Sequence, residues 1–252
     1  MTDSSLLKPI ASQSPDQAPT EIAKALVGWF NQEGKTYPWR ETTDPYAILV
    51  SEIMLQQTQI TTVLGKGFYT RWMERFPNTT TLAKATEDEV LKQWEGLGYY
   101  SRARNLQKQA KHIETELSGK FPTEHADILK LPGVGPYTAG AVTSFAFNKP
   151  APIVDGNVAR VLSRLFDENE PIDSTQGQKH LWQRSEALLD RDHPRAFNSA
   201  IMELGNAFAK NLPLNVGNAL SPSPASPPLL KPSLRKDKKR KLFRKMNGYS
   251  ST

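Results

Sequence analysis

Three acidic residues lie inside apolar runs, where a charged side chain is least expected. Glu52 sits in Ile48-Leu49-Val50-Ser51-Glu52-Ile53-Met54-Leu55, Asp155 in Ala151-Pro152-Ile153-Val154-Asp155-Gly156-Asn157-Val158, and Glu203 in Ala200-Ile201-Met202-Glu203-Leu204-Gly205. Acids are rarely fully buried unless paired, and burial raises a carboxyl pKa by disfavouring the charged form. A protonated acid beside an ionised one is an arrangement that cleaves glycosidic bonds. Each acid also has a plainer reading. Glu52 fits the solvated edge of a helix, Asp155 the N-cap of a helix running from Asn157 through Val161 and Leu165, and Glu203 a last-turn surface position. His112, His125, His180 and His193 have no metal-ligand spacing and read as structural or surface groups.

A second kind of chemistry is suggested by Leu131-Pro132-Gly133-Val134-Gly135-Pro136-Tyr137-Thr138-Ala139-Gly140-Ala141. Two glycines two apart permit a tight turn and close approach of backbone to a ligand. Pro136 suits the first position of the next helix. The amides of Gly133, Val134 and Gly135 are then expected to point outward beside a helix N-terminus, which forms a phosphate site. Two glycines alone are better explained by an ordinary turn between helices. The full string, preceded by Ile128 and Leu129 at the end of a short helix, resembles the helix-hairpin-helix element of base-excision glycosylases.

The elements that must position these groups read as helices throughout. Ala23, Leu26, Val27 and Phe30 recur at helical spacing, and Asp44-Pro45 caps a helix expected to run through Ile48 to Thr58. Thr86 and Glu89 form a capping box ahead of Val90, Leu91 and Trp94. Ala103, Leu106, Ala110, Ile113 and Leu117 make the stripe of another helix. Leu181, Trp182, Ser185, Leu188 and Leu189 mark a further one, and Phe197, Ala200, Ile201 and Leu204 the last, expected to stop at Gly205. Sustained alternation is missing, so the chain is all-α. Residues 1–19 read as disordered, 20–46 with 146–205 as one helical subdomain, 47–145 as a six-helix subdomain holding the hairpin at 131–141, and 206–252 as an irregular tail.

That tail separates the charge. Residues 229–252 hold nine Lys/Arg against Asp237, a net +8, leaving 23 basic and 25 acidic residues in 1–228. The high overall charge of +6 is therefore no evidence for a nucleic-acid-binding fold; the tail either adds sequence-independent phosphate attraction or is simply solvated. Six prolines fall between Pro213 and Pro232, including SPSPASPP at 221–228. The most apolar window, Ala139 to Phe147, has nine residues, far short of a membrane span, and the N-terminus lacks the pattern of a secretory signal. An intracellular, cytoplasmic protein without membrane contact is expected. There is no cysteine, which excludes disulfides and any thiolate-held metal or iron–sulfur centre within these 252 residues.

Taken with the hairpin, four further segments resemble the adenine DNA glycosylase (MutY) family. They are Tyr37-Pro38-Trp39-Arg40, Ser51-Glu52-Ile53-Met54-Leu55-Gln56-Gln57-Thr58-Gln59, Gly96-Leu97-Gly98-Tyr99-Tyr100-Ser101-Arg102-Ala103-Arg104-Asn105 and Val154-Asp155-Gly156-Asn157-Val158. The resemblance covers about residues 20–205 in order and spacing. It implies the helix-hairpin-helix (HhH-GPD) fold, with two helical subdomains flanking a DNA-binding cleft. It implies Glu52 as the general acid that protonates adenine N7, and Asp155 as the group that stabilises the positive sugar or attacks it transiently. Tyr137 and Asn157 assist by hydrogen bonding; Trp39, Arg40 and Glu203 line the pocket of the flipped adenine. Gln56, Gln57, Tyr99, Gly133, Val134 and Gly135 contact DNA, with Gln57 and Tyr99 entering the duplex near the partner base. The partner implied is double-stranded DNA with adenine opposite 8-oxoguanine or guanine, bound by a monomer at the nucleoid.

Position 137 separates reaction types. Related endonuclease III-like enzymes carry a lysine there that forms a Schiff base and cuts the strand. Tyrosine cannot, so an intact abasic strand is expected. The family pattern also includes four cysteines holding a [4Fe–4S] cluster, whose places fall near Ala209, Val216, Ala219 and Ala225, and a C-terminal domain resembling Nudix hydrolases, which this sequence is too short to contain. No cofactor is expected, although a structural cation at the hairpin remains compatible with the sequence. A pyrimidine-removing glycosylase and a non-cutting DNA-binding module are the alternatives. Glu52 argues against the first, since an acid aimed at a purine nitrogen has less to do on a pyrimidine; Glu52 and Asp155 together argue against the second, since binding alone needs no acid in an apolar run.

Overall fold

The computed structural model describes residues 18–209, and every regular element among them is helical. In chain order these are α1 (Ala18–Glu33), a 3-10 turn (Pro38–Arg40), α2 (Pro45–Leu55), α3 (Ile60–Gly65), α4 (Phe68–Arg75), α5 (Thr79–Lys84) and α6 (Glu87–Gln93). They continue as α7 (Ser101–Glu116), α8 (His125–Ile128), α9 (Pro136–Phe147), α10 (Gly156–Leu165), α11 (Thr175–Leu188) and α12 (Pro194–Ala209). The disorder expected at 1–17 and the irregular tail expected at 210–252 lie outside the described residues. Ala18 and Pro19, expected to be disordered, open α1.

The chain divides into two compact units, one of residues 35–153 and one joining the residues up to 34 with those from 154 onward. Both boundaries differ from the expected 46 and 146, for reasons of packing. The 3-10 turn packs on α2, and Trp39 stacks on Tyr37 and meets Tyr69 edge-on, so the segment after residue 34 belongs with α2. At the other end, the backbone of Pro152 runs so close to Gly140 of α9 that a Cβ there would lie 2.4 Å from the Pro152 carbonyl oxygen. The 35–153 unit also holds eight α-helices rather than six. Left-handed Gly67 (φ 66°) separates α3 from α4, and Phe76-Pro77-Asn78 separates α4 from α5.

α2 is the centre of this unit and packs against α3, α4, α7, α9 and the 3-10 turn. Asp44 caps it, accepting from the Tyr46 amide at 3.0 Å, and Pro45 fills its first position, where no amide is needed. Every residue from Tyr46 to Met54 is buried. α4 is pinned to α2 by buried polar tips: the Tyr46 hydroxyl donates to the Phe76 carbonyl at 2.8 Å and receives the Trp72 indole N–H at 3.1 Å, while the Tyr69 hydroxyl donates to the Ala47 carbonyl at 3.3 Å. Loss of water pushes the Tyr69 phenol up to about 12 and the Tyr46 phenol higher still. The helix ends at Leu55 instead of Thr58, because Gln56 leaves helical geometry (ψ 114°) and Gln57 follows in a left-handed conformation (φ 57°). The capping box at Thr86 and Glu89 is present as expected.

In the other unit α12 packs against α10 and α1, and α11 against α10 and α1. Gly205 does not end α12, which continues to Ala209, so residues 206–209, expected to be irregular, are helical. Gly205 is there for proximity, since a Cβ at this site would lie 2.3 Å from the carbonyl oxygen of Asn157 on α10. No helix among the described residues is long and apolar enough to cross a membrane. Because backbone cannot yield as a flexible side chain can, Gly205→Ala is expected to lower the unfolding free energy by about 1–3 kcal/mol in urea titration, despite the better helix propensity of alanine. An unchanged or raised midpoint would show that α10 and α12 are not in such close contact.

Candidate active site

Glu52 lies two turns into α2 and is 5% exposed, which rules out a solvated helix edge. Its Oε2 accepts a hydrogen bond of 2.7 Å from the hydroxyl of Tyr137, in the first turn of α9. The phenol thus reaches the carboxyl group across the α2–α9 contact. Of the residues expected in an adenine pocket, Trp39 is buried in the core of this unit, with Tyr37 and Tyr69 around its ring. Arg40 is partly buried, donates to the Lys35 carbonyl at 2.6 Å and stands 4.9 Å from the centre of the Tyr37 ring. Arg40 is thus the more exposed of the two.

The hairpin forms as its sequence predicts, with α8, a turn at Gly133 (φ 72°), and α9 begun by Pro136. One expectation is corrected. The Val134 amide does not point away as a free donor; it closes the turn onto the Leu131 carbonyl at 3.1 Å. The amides of Gly133 and Gly135 donate to no backbone carbonyl among the described residues and are the ones able to meet a phosphate. A Cβ at Gly133 would lie 2.7 Å from Asn105 Nδ2, so this turn needs glycine for space as well as for φ.

Gln57 and Tyr99, expected to enter the duplex, are both exposed, Tyr99 by 59%, and both are left-handed, at φ 57° and 49°. A non-glycine residue there costs on the order of 1–3 kcal/mol and persists only when its surroundings impose it. Gln56 turns its carbonyl inward to the buried guanidinium of Arg102. Arg102 was legible only as part of a motif; a cation in the first turn of a helix carries no sign of burial.

In the second unit Asp155 does cap α10. Its Oδ1 accepts from the Asn157 amide at 2.9 Å and the Val158 amide at 2.8 Å, and its Oδ2 from the Asn157 side-chain amide at 2.8 Å. Loss of water raises its pKa above the ordinary value, opposed by the Val158 amide, the charge of Arg160 and the two Asn157 hydrogen bonds, in that order. Arg160, which sequence reasoning missed, bonds the Asn157 side-chain oxygen and donates to the Gly205 carbonyl at 3.3 Å. Its place three residues after Asn157 on one helix face was the available signal. Glu203 is buried on α12, at 9% exposed, and is not the surface residue its position suggested.

No group of three or more potential ligands that could hold a metal ion occurs among the described residues. The [4Fe–4S] cluster that the family resemblance implies does not fit this sequence, since none of its 252 residues is a cysteine. Residues 50–187, more than half of the chain, match the HhH-GPD superfamily of base excision DNA repair proteins.

The chain belongs to this superfamily.

Within it, the chain is 43% identical over 183 residues to an adenine DNA glycosylase of Buchnera aphidicola subsp. Baizongia pistaciae, covering 72% of this chain and 51% of that protein. It is 43% identical over 195 residues to the adenine DNA glycosylase of Homo sapiens, covering 74% of this chain and 35% of that protein. The chain thus spans about half or less of the length of these relatives. Among solved HhH-GPD structures, a thermostable thymine-DNA glycosylase shares 30% identity at a TM-score of 0.68, over 77% of this chain and 88% of that one. A trapped endonuclease III–DNA covalent intermediate, at 20% identity and TM-score 0.61 over 75% of this chain and 85% of that one, shares the fold.

The raised pKa of Asp155 has a signed consequence. Between its ordinary value of 3.8 and its raised one, the folded state still holds the proton that the unfolded state has released, so stability falls as pH rises. Asp155→Asn abolishes that titration. The unfolding free energy of the wild type relative to this variant is expected to fall as pH climbs above 3.8 and to level off once the raised value is passed, in urea titrations from about pH 4 to 7. A constant or rising difference would show that the carboxyl is not held protonated.

Proposed function

We propose that this chain is a monofunctional adenine DNA glycosylase, hydrolysing the N-glycosidic bond of adenine opposite 8-oxoguanine or guanine. The observation that carries the reading is Glu52, a carboxylic acid buried on every side in α2 and oriented by the Tyr137 hydroxyl. A group in that setting is suited to give a proton to a base removed from water. The relatives named adenine DNA glycosylase, at 43% identity, support the choice of base.

In this reading Glu52 protonates adenine N7. The bond from sugar C1′ to N9 breaks, and its electron pair leaves with the base. The positive charge left on the sugar is stabilised by the Asp155 carboxylate, or captured by it transiently, before a water oxygen adds at C1′ and the water proton returns to a carboxylate. Asn157 holds Asp155 through its side-chain amide. Tyr137 stands where the lyases carry an amine and has no nitrogen with which to form a Schiff base, so the strand stays uncut. The substrate is double-stranded DNA, acted on by a monomer at the nucleoid.

The likeness to a thymine-DNA glycosylase, which extends over 88% of that chain, favours a pyrimidine reading as the rival. One assay separates the two. Duplexes with adenine opposite 8-oxoguanine, adenine opposite guanine and thymine opposite guanine are incubated with protein, and half of each sample is treated with alkali. Breaks at adenine only, and only after alkali, are expected, with Glu52→Gln slower by about 10²–10⁴-fold at full helical content. Breaks at thymine, or breaks without alkali, would contradict the proposal.

A further inference from the structure

Gln57 and Tyr99 lie more than forty residues apart, yet the two turns that carry them close on one side chain. Arg102 is 3% exposed. From one terminal nitrogen it donates to the carbonyls of Ile53 and Met54, each at 3.0 Å, and to that of Gln56. From the other it donates to the carbonyls of Leu97 and Gly98, each at 3.2 Å. Both nitrogens lie 3.4 Å from the Thr58 hydroxyl. The first set is the C-terminal end of α2, where unpaired carbonyls and the negative end of the helix dipole favour a cation. The second is the turn that leads into Tyr99. The guanidinium carbon also lies 5.3 Å from the centre of the Trp94 ring and 5.5 Å from that of Tyr99, both favourable for a cation.

We propose that Arg102 is a positioning residue that holds Gln57 and Tyr99 as a coupled pair, setting how the protein opens the duplex at the mispair. The inference rests on the reading that these two side chains enter DNA. Its basis is geometric. Gln57 follows directly on the Gln56 carbonyl and Tyr99 directly on the Gly98 carbonyl, so each left-handed residue is preceded by a peptide oxygen that Arg102 fixes. A planar fork with five N–H donors can gather carbonyls from two directions at once, whereas an ammonium group is a single point. Release of the fork frees both turns to return to ordinary backbone conformations, and the two exposed tips then lose their common register.

The test uses Arg102→Lys, which keeps the charge and the stem, and Thr58→Val, which removes one acceptor without disturbing the carbonyls. Hydrogen exchange of the free protein is expected to quicken in 53–58 and in 97–100 together in Arg102→Lys, to a smaller extent in Thr58→Val, while α9 is unchanged. With 2-aminopurine beside the mispair as a fluorescent probe of unstacking, Arg102→Lys is expected to open the duplex about tenfold less well or worse. The coupling is read from double variants: Gln57→Ala and Tyr99→Ala each weaken opening in the wild type but add little once Arg102 is lysine. Multiplicative losses, exchange that quickens evenly across 35–153, or exchange that quickens at one turn alone would overturn the proposal. A wild-type chain that opens no duplex sinks the functional reading and this inference together; a responsive wild type with an equally responsive Arg102→Lys sinks this inference alone.

Discussion

Placing a carboxylic acid on a helix with no solvent-facing residue from Tyr46 to Met54 costs free energy that the surrounding unit must offset. The 35–153 unit is organised around that constraint. α2 is enclosed by α3, α4, α7 and α9, and its apolar residues meet Trp72, Trp94 and Phe76 in one core. Several of the polar groups buried around it have partners: the Tyr46 and Tyr69 hydroxyls have carbonyl acceptors, the Trp72 indole has the Tyr46 oxygen, and Glu52 has Tyr137. The enclosure that makes Glu52 expensive is also what keeps water from it.

Asp155 meets a comparable cost in a different way. It accepts three hydrogen bonds from the start of α10 and feels the charge of Arg160, so its ionised form has partners that oppose the loss of water. A carboxylate at a helix N-terminus is placed both by the dipole and by the amides that need an acceptor. The cap therefore fixes the orientation of the carboxylate, which is compatible with the chemical role proposed for it. Arg160 extends the arrangement to α12 through the Gly205 carbonyl, and Gly205 permits it by carrying no side chain against Asn157.

Much of this was legible in the sequence because it depends on local rules. The caps at Asp44, Thr86 and Asp155, the proline that opens α9 and the all-helical periodicity are set by short-range geometry and reappear in the structure. The acids in apolar runs singled out Glu52, whose burial the sequence could pose but not decide. What was not legible depends on tertiary proximity. Gly205 looks like a helix stop until α10 is seen to need its space. The Val134 amide looks available until the turn is seen to close on Leu131. The burial of Trp39 depends on Tyr69, thirty residues on, which packs against it edge-on. Arg102 stood out only as a member of a motif, since nothing in its own neighbours shows that carbonyls from residues 53–56 converge on it.

The central claim is that Glu52 gives its proton to the N7 nitrogen of adenine. The most direct test replaces that nitrogen. Single-turnover excision is measured on a duplex carrying 7-deazaadenine opposite guanine, where a C–H group stands in place of N7 and the pairing edge is unchanged. The account predicts normal binding of this duplex and no release of the base, with wild type and Glu52→Gln indistinguishable on it. Release of 7-deazaadenine at a rate near that of adenine would contradict the account and leave Glu52 without its assigned acceptor.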